Sequence, residues 1–291
     1  MTDAFSAHRG HLFGVAYRML GSRADAEDVV QEAWLRYAAA DQDRIVDLRA
    51  WLTTVTGRLC LDVLRSARVR REAYVGPWLP EPIVERLPDQ GADPGESVAL
   101  SESVSLALLL ILDTLSPEQR VAFVLHDVFA VPFGEVAGTL GTTAENARQL
   151  ASRARRAVSA GEHRHTTSRA RQAEVFAAFT AAASGGDLDA LLKVLAPDVV
   201  AIGDGGGVAQ AAKRPIEGAL QVGRFVLGLF RQAQRHGWEV MPALVNGDLG
   251  IVVRMGDGYA VSSVSISPSG LVTGLFNQLN PAKLHGLADE F

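Results

Sequence analysis

Apolar residues near the start of the chain recur at helical spacing. Ala26, Val29, Val30, Ala33, Trp34 and Tyr37 share one face of a helix over residues 25–39, and Asp25, Asp28, Gln31, Glu32 and Arg36 occupy the opposite face. Gly21-Ser22 marks its start, with Ser22 and Asp25 spaced to satisfy free backbone N–H groups. Leu48, Trp51, Leu52, Val55, Leu59 and Val63 repeat the period over residues 47–66, and Leu12, Phe13, Ala16, Tyr17 and Leu20 form an earlier stripe. The pattern predicts a small helical bundle over residues 1–71, its packed part beginning near residue 4.

The period disappears in residues 72–103, where Pro77, Pro80, Pro82, Pro88 and Pro94 predict an extended linker. It returns over residues 104–160. Ser116-Pro117-Glu118-Gln119 combines an N-cap, proline at the first helical position and glutamine at the third. Val121, Val124, Leu125 and Val128 follow, then a short segment from Phe133 to Leu140, Gly141, and Thr142-x-x-Glu145 as a second capping box. Ala147, Leu150, Ala151, Ala154 and Val158 are the buried stripe of the last helix, so the order of signals predicts a helix-turn-helix.

From residue 168 to 291 the signals change again. Helical patterns around Val175–Ala183, Leu188–Leu195 and Glu217–Arg235 precede strand-like runs at 238–245, 249–255, 259–266 and 271–279. Asn246-Gly247, Asp257-Gly258 and Pro268-Ser269-Gly270 separate the runs, which predicts an antiparallel meander with helices on one face, an α+β unit. The expected fold class is therefore multidomain: two all-α modules followed by an α+β cone.

Charge sharpens this picture. The net charge of −5 conceals a linker with one basic and seven acidic groups over residues 72–103. Two stretches are purely basic: Arg65, Arg68, Arg70 and Arg71, and Arg148, Arg153, Arg155 and Arg156. The longest aliphatic run, Leu106–Leu112, is far shorter than a membrane span, and no signal-like segment follows Met1, so no membrane association and a cytoplasmic location are expected. One cysteine, Cys60, excludes an internal disulfide; His8/His11 and His163/His165 lack further ligands, so neither metal nor cofactor is expected.

The outward face of the last helix in the second module carries Glu145, Asn146, Arg148, Gln149, Ser152, Arg153, Arg155 and Arg156. Arginine recognises guanine O6/N7 in bidentate fashion, glutamine and asparagine pair with adenine, and neighbouring cations neutralise phosphates. This points to DNA.

The stretch HLFGVAYRMLGSRADAEDVVQEAWLRY from His11 to Tyr37, and LSPEQRVAFVL from Leu115 to Leu125, resemble regions 2 and 4 of extracytoplasmic-function sigma factors. The resemblance implies that Asp25, Asp28, Gln31 and Glu32 bind the clamp helices of core RNA polymerase. It also implies that Arg58, Asp62, Arg65 and Arg68 reach the −10 element in a segment that includes Trp51, Thr53 and Thr54. Arg148, Gln149, Ser152, Arg153 and Arg156 would read the −35 element, with the polymerase flap as second partner. Trp78-Leu79-Pro80-Glu81-Pro82, Asp204-Gly205-Gly206-Gly207 and Asn280-Pro281-x-Lys283-Leu284 further resemble sigma factors with a fused SnoaL-like domain, the SigJ-type group. The chain departs from that pattern at Val208, where the group carries lysine, and at Ala282, where it carries aspartate. A promoter-specific initiation factor without catalysis of its own is implied, with the acidic linker in the polymerase channel and the C-terminal domain regulating in cis, Lys283 meeting the linker and Leu287–Phe291 free to dock.

Two other classes stand beside it. SnoaL-like cones also hold enzymes with a carboxylate base in an apolar pocket, for which Asp204, Trp238, Arg254 and Asn277 are the lining candidates, and the cone could hold an unidentified small molecule. An ordinary helix-turn-helix regulator with a sensor domain is the other, and the helix over 25–37 argues against it.

Overall fold

The computed structural model describes residues 3–72, 74–87, 104–162, 169–256, 258–289 and 291. The chain divides into two compact units, one of Met1–Ala73 with Leu109–Ala160, the other of Tyr74–Leu108 with Gly161–Phe291. Each is built differently.

The first unit opens with α1 (Asp3–Ser6), α2 (Arg9–Leu20), α3 (Arg23–Ala39) and α4 (Leu48–Glu72). Gly21 ends α2 at φ 67°, a left-handed conformation that suits glycine, and the Ser22 hydroxyl then accepts the Asp25 N–H at 3.2 Å to start α3. Phe5, Leu12, Val30, Tyr37 and Leu52 form the buried centre, with Trp34 and Trp51 packed against it. Trp51 is thus a half-buried core residue.

The second helical module comprises α5 (Leu106–Asp113), α6 (Pro117–Phe123), a π turn over Val124–Val128, α7 (Phe133–Leu140) and α8 (Ala144–Glu162), the unit division falling inside α5. Ser116 and Gln119 form the expected reciprocal capping box. At α8 the expected box shifts by one residue: Thr143, not Thr142, caps the helix by accepting the Asn146 N–H at 3.2 Å. The Thr142 hydroxyl instead accepts the Asn146 side-chain amide at 2.8 Å.

Sequence pattern gives no sign that the two helical modules pack as one unit. Gly57 on α4 makes it feasible, since a Cβ there would stand 3.1 Å from both Leu125 and Thr139 of the other module. Arg120, 4% exposed, donates to the Met19 carbonyl of α2 at 2.8 Å and to Asp113 of α5 at 2.7 Å. Burial lowers the Arg120 pKa to about 10, so the guanidinium stays charged at neutral pH.

The second unit carries α9 (Arg169–Gly185), α10 (Leu188–Val194), α11 (Ala219–His236) and a seven-stranded sheet. Its strands are β1 (Val84–Arg86), β2 (Leu195–Asp204), β3 (Ile216–Glu217), β4 (Glu239–Val245), β5 (Asp248–Met255), β6 (Gly258–Ile266) and β7 (Val272–Gln278), in spatial order β1-β4-β5-β6-β7-β2-β3. The expected meander is β4 to β7. Two features go beyond the sequence reading: β2 pairs parallel to β7, and the linker contributes a strand, β1, that pairs antiparallel with β4 and forms the sheet edge. Phe176 and Phe179 of α9 and Val222 and Val226 of α11 bury against Ile251, Val264 and Leu275, so the helices cover one sheet face.

Candidate regulatory node and nucleic-acid faces

On α3, Asp28 and Gln31 are exposed, while Asp25 and Glu32 are half-buried and Glu32 pairs with Arg36 at 3.1 Å. The face opposite the apolar stripe is therefore a solvent-facing acidic surface, as its period predicts.

On α4, Asp62 is exposed, but Arg58 and Arg65 are engaged. Arg58 donates to the Gly138 carbonyl of α7 at 3.0 Å, and Arg65 pairs with Glu118 of α6 at 3.0 Å. The side chains of Arg68, Arg70 and Arg71, and both His163 and His165, lie outside the described residues.

On α8, Arg148, Gln149, Ser152, Arg153 and Arg156 are exposed and line a common groove of about 390 Å³ with Glu145. Arg148 also lies 5.6 Å from the Phe133 ring centroid, and Arg155 is tied to Asp127. The capped N-terminus and the buried stripe Ala147, Ala151, Ala154 and Val158 fix which side faces out.

The three short motifs of the linker and the C-terminal unit converge on one carboxylate. Asp204, at the end of β2, has no solvent exposure. Its Oδ1 accepts the Tyr74 hydroxyl at 2.6 Å and the Gly206 N–H at 2.9 Å. Its Oδ2 accepts the Leu79 N–H at 2.9 Å, the Lys283 ammonium at 2.8 Å and the Gln278 amide at 3.3 Å. Asn280 donates back to the Tyr74 oxygen at 2.9 Å, and Lys283 reaches the Leu79 carbonyl and lies 4.4 Å from the Trp78 ring centroid. Burial alone would raise the Asp204 carboxyl; the Leu79 amide, Lys283 and Tyr74 outweigh it and hold its pKa below the ordinary value. Burial, together with the hydrogen bond and charge of Asp204, pushes the Tyr74 hydroxyl up.

The remaining motif residues support this node. Gly206 has φ +61°, and a Cβ there would fall 2.4 Å from the Asn280 amide; Gly205 and Gly207 carry the chain past the same corner. Pro80, Glu81 and Leu284 are buried, and Pro281 opens a short 3₁₀ turn capped by Asn280. Val208 and Ala282, the two departures, are exposed. Leu287 is buried and Arg86 lies 5.2 Å from the Phe291 ring centroid, so the expected free C-terminal end is already packed. Sequence reasoning missed Tyr74 and Gln278; a glutamine closing an apolar strand on its buried side was the available signal for the latter.

The enzyme candidates are not brought together. Arg254 pairs with Glu239, Asn277 accepts the Ser262 hydroxyl at 2.6 Å, and Asp204 belongs to the node. Only Trp238 of the four lines the cavity of about 600 Å³ between α9, α11 and the sheet, beside Ala181, Phe230 and Val240. Among the described residues no helix is long and apolar enough to cross a membrane, and no group of three or more His, Cys, Asp or Glu could hold a metal ion.

A helical bundle and a helix-turn-helix in this order define a sigma factor: the Sigma-70 region 2 family matches residues 4–70, and Sigma-70, region 4 matches residues 105–158. The chain belongs to the extracytoplasmic-function sigma factors, which bind core RNA polymerase and promoter DNA. It is 47% identical to the ECF RNA polymerase sigma factor SigJ of Mycobacterium tuberculosis, with 97% of this chain and 92% of that protein covered. A probable ECF RNA polymerase sigma factor SigI from the same species is 42% identical over 68% of each. The crystal structure of M. tuberculosis SigJ matches with a TM-score of 0.77 and 43% identity, covering 98% of this chain and 99% of that one.

Proposed function

We propose that this sigma factor initiates promoter-specific transcription in the cytoplasm under control in cis by its C-terminal unit, whose Asp204 holds the linker at Tyr74 and Leu79. The observation that carries this reading is the fully buried Asp204 carboxylate, bonded at once to the linker through Tyr74 and Leu79 and to the C-terminal motif through Lys283. A linker held this way is unavailable to the polymerase channel, so the strength of the node sets transcriptional output. No chemistry is assigned to the cone. Its cavity has no charged lining residue and suits a neutral apolar ligand.

In this reading Asp25, Asp28, Gln31 and Glu32 meet the clamp helices. Asp28→Arg is expected to weaken core polymerase binding at least tenfold while moving stability by no more than about 0.5 kcal/mol, because Asp28 is exposed. A fluorescence titration with core polymerase checks this, and unchanged affinity contradicts it.

Arg148, Gln149, Ser152, Arg153 and Arg156 contact the −35 element, and region 4 also meets the flap. Alanine at a base-reading position is expected to cost about 1–3 kcal/mol and relax preference at one base pair, whereas alanine at a phosphate contact weakens all promoters and flattens the salt dependence. Holoenzyme footprinting on a promoter library separates them; an unchanged footprint with all five replaced removes the assignment. Arg58, Asp62, Arg65 and Arg68 approach the −10 element, which requires Arg58 to leave the Gly138 carbonyl and Arg65 to leave Glu118.

A further inference from the structure

Asn246-Gly247 reads as a hairpin turn, and the backbone agrees: φ is +54° at Asn246 and +79° at Gly247, between β4 and β5. Asparagine is favoured in such a turn for its tolerance of positive φ, which accounts for the residue without using its side chain. Here the side chain is nevertheless buried, with 2% exposure, and bonded in two directions. Its Oδ1 accepts the Ile83 N–H at 3.0 Å, and its Nδ2 donates to the Val104 carbonyl at 3.0 Å. The Asn246 backbone N–H completes the junction by donating to the Ile83 carbonyl at 2.7 Å.

Ile83 and Val104 flank the acid-rich part of the linker. We propose that Asn246 is a latch that holds Ile83 and Val104, the two flanks of the acid-rich stretch, on the C-terminal unit, and that its release accompanies engagement of the linker by polymerase. This rests on the cis-control reading above and adds a second point of attachment, away from the three motifs that suggested it.

Three arguments support the latch. One partner is a donor and the other an acceptor, so an amide serves both, whereas a carboxylate serves Ile83 and opposes Val104. The β1–β4 ladder spans only Val84–Arg86, too short a strand to hold the linker firmly by itself. A chain of this separation reaches roughly 70 Å when extended, yet both flanks rest on a single side chain. Separating Ile83 from Val104 must therefore break at least one of the two bonds.

The test uses the full chain with Asn246→Gly, which keeps the positive-φ turn and removes both bonds, and Asn246→Asp, which keeps the acceptor toward Ile83. Hydrogen exchange is expected to rise at least tenfold at the Ile83 amide in N246G, with β6 and β7 unchanged. N246D should retain Ile83 protection while the amides just after Val104 exchange faster. Run-off transcription by holoenzyme should change at least twofold in N246G, in the same direction as in D204N. Unchanged Ile83 exchange in N246G overturns the latch. Raised exchange with unaltered transcription overturns its role in control, and leaves the cis-control reading intact if D204N still alters output; if D204N is silent as well, both readings fall.

Discussion

Asp204→Asn is expected to release residues 74–79 and raise hydrogen exchange at the Leu79 amide by more than about a hundredfold. In the parent both carboxylate oxygens accept, Oδ1 from Tyr74 and Gly206, Oδ2 from Leu79, Lys283 and Gln278. Whichever way an asparagine is turned, its NH₂ faces donors, and the Lys283 ammonium, 14% exposed, loses its counter-charge. Removing one partner of a buried pair costs about 3–5 kcal/mol, which sets the scale of the exchange change. The same contribution depends on pH with a definite sign. The folded pKa of Asp204 is depressed, so its stabilisation is fully present above the ordinary carboxylate value and is lost as pH falls through the folded value. Exchange at Leu79 in the parent protein should accordingly approach that of D204N only in acid below about pH 4. Equal exchange in the two proteins at pH 7 would show that the node does not hold the linker.

Arg120→Met is expected to lower the thermal midpoint of the helical unit by roughly 10 °C, from a loss of about 3 kcal/mol. The guanidinium is a buried tie between the two helical modules, and its removal takes one donor from the Met19 carbonyl and one from the Asp113 carboxylate. Methionine fills similar volume, so the loss reads the hydrogen bonds and charge rather than a cavity. Adding Asp113→Leu removes the carboxylate that has lost this buried ion pair, and the double variant should recover part of the midpoint. Calorimetry on the four proteins of this cycle checks it; additive losses would mean that Arg120 and Asp113 are not coupled.

Local signals made the helical modules readable from sequence. Ser22 and Ser116 cap where spacing placed them because a cap acts within one turn of chain. The strands β4 to β7 were readable for a similar reason, since glycine-containing turns punctuate alternating apolar runs. Strand β2 was not, because Pro197-Asp198 breaks its alternation and its parallel partner β7 lies about seventy residues away. Strand β1 hid in a proline-rich segment because its partner β4 is supplied by a distant part of the chain. The node followed the same division: its motif residues were noticed through a family resemblance, whereas the acceptor count that unites them exists only after folding. Tyr74 and Asn246 carry no sequence mark of their roles beyond a linker tyrosine and a turn asparagine. The closing of the two helical modules through Gly57 and Arg120 was invisible because each looks ordinary in its own helix.

The most direct test of control in cis is run-off transcription by holoenzyme reconstituted from core polymerase with either the parent chain or D204N, at equal holoenzyme concentration, on a promoter selected from a library with the parent. The account predicts a specific transcript from both and a yield that differs at least fivefold between them, a coupling of about 1 kcal/mol or more. Equal yields from the two holoenzymes would contradict it.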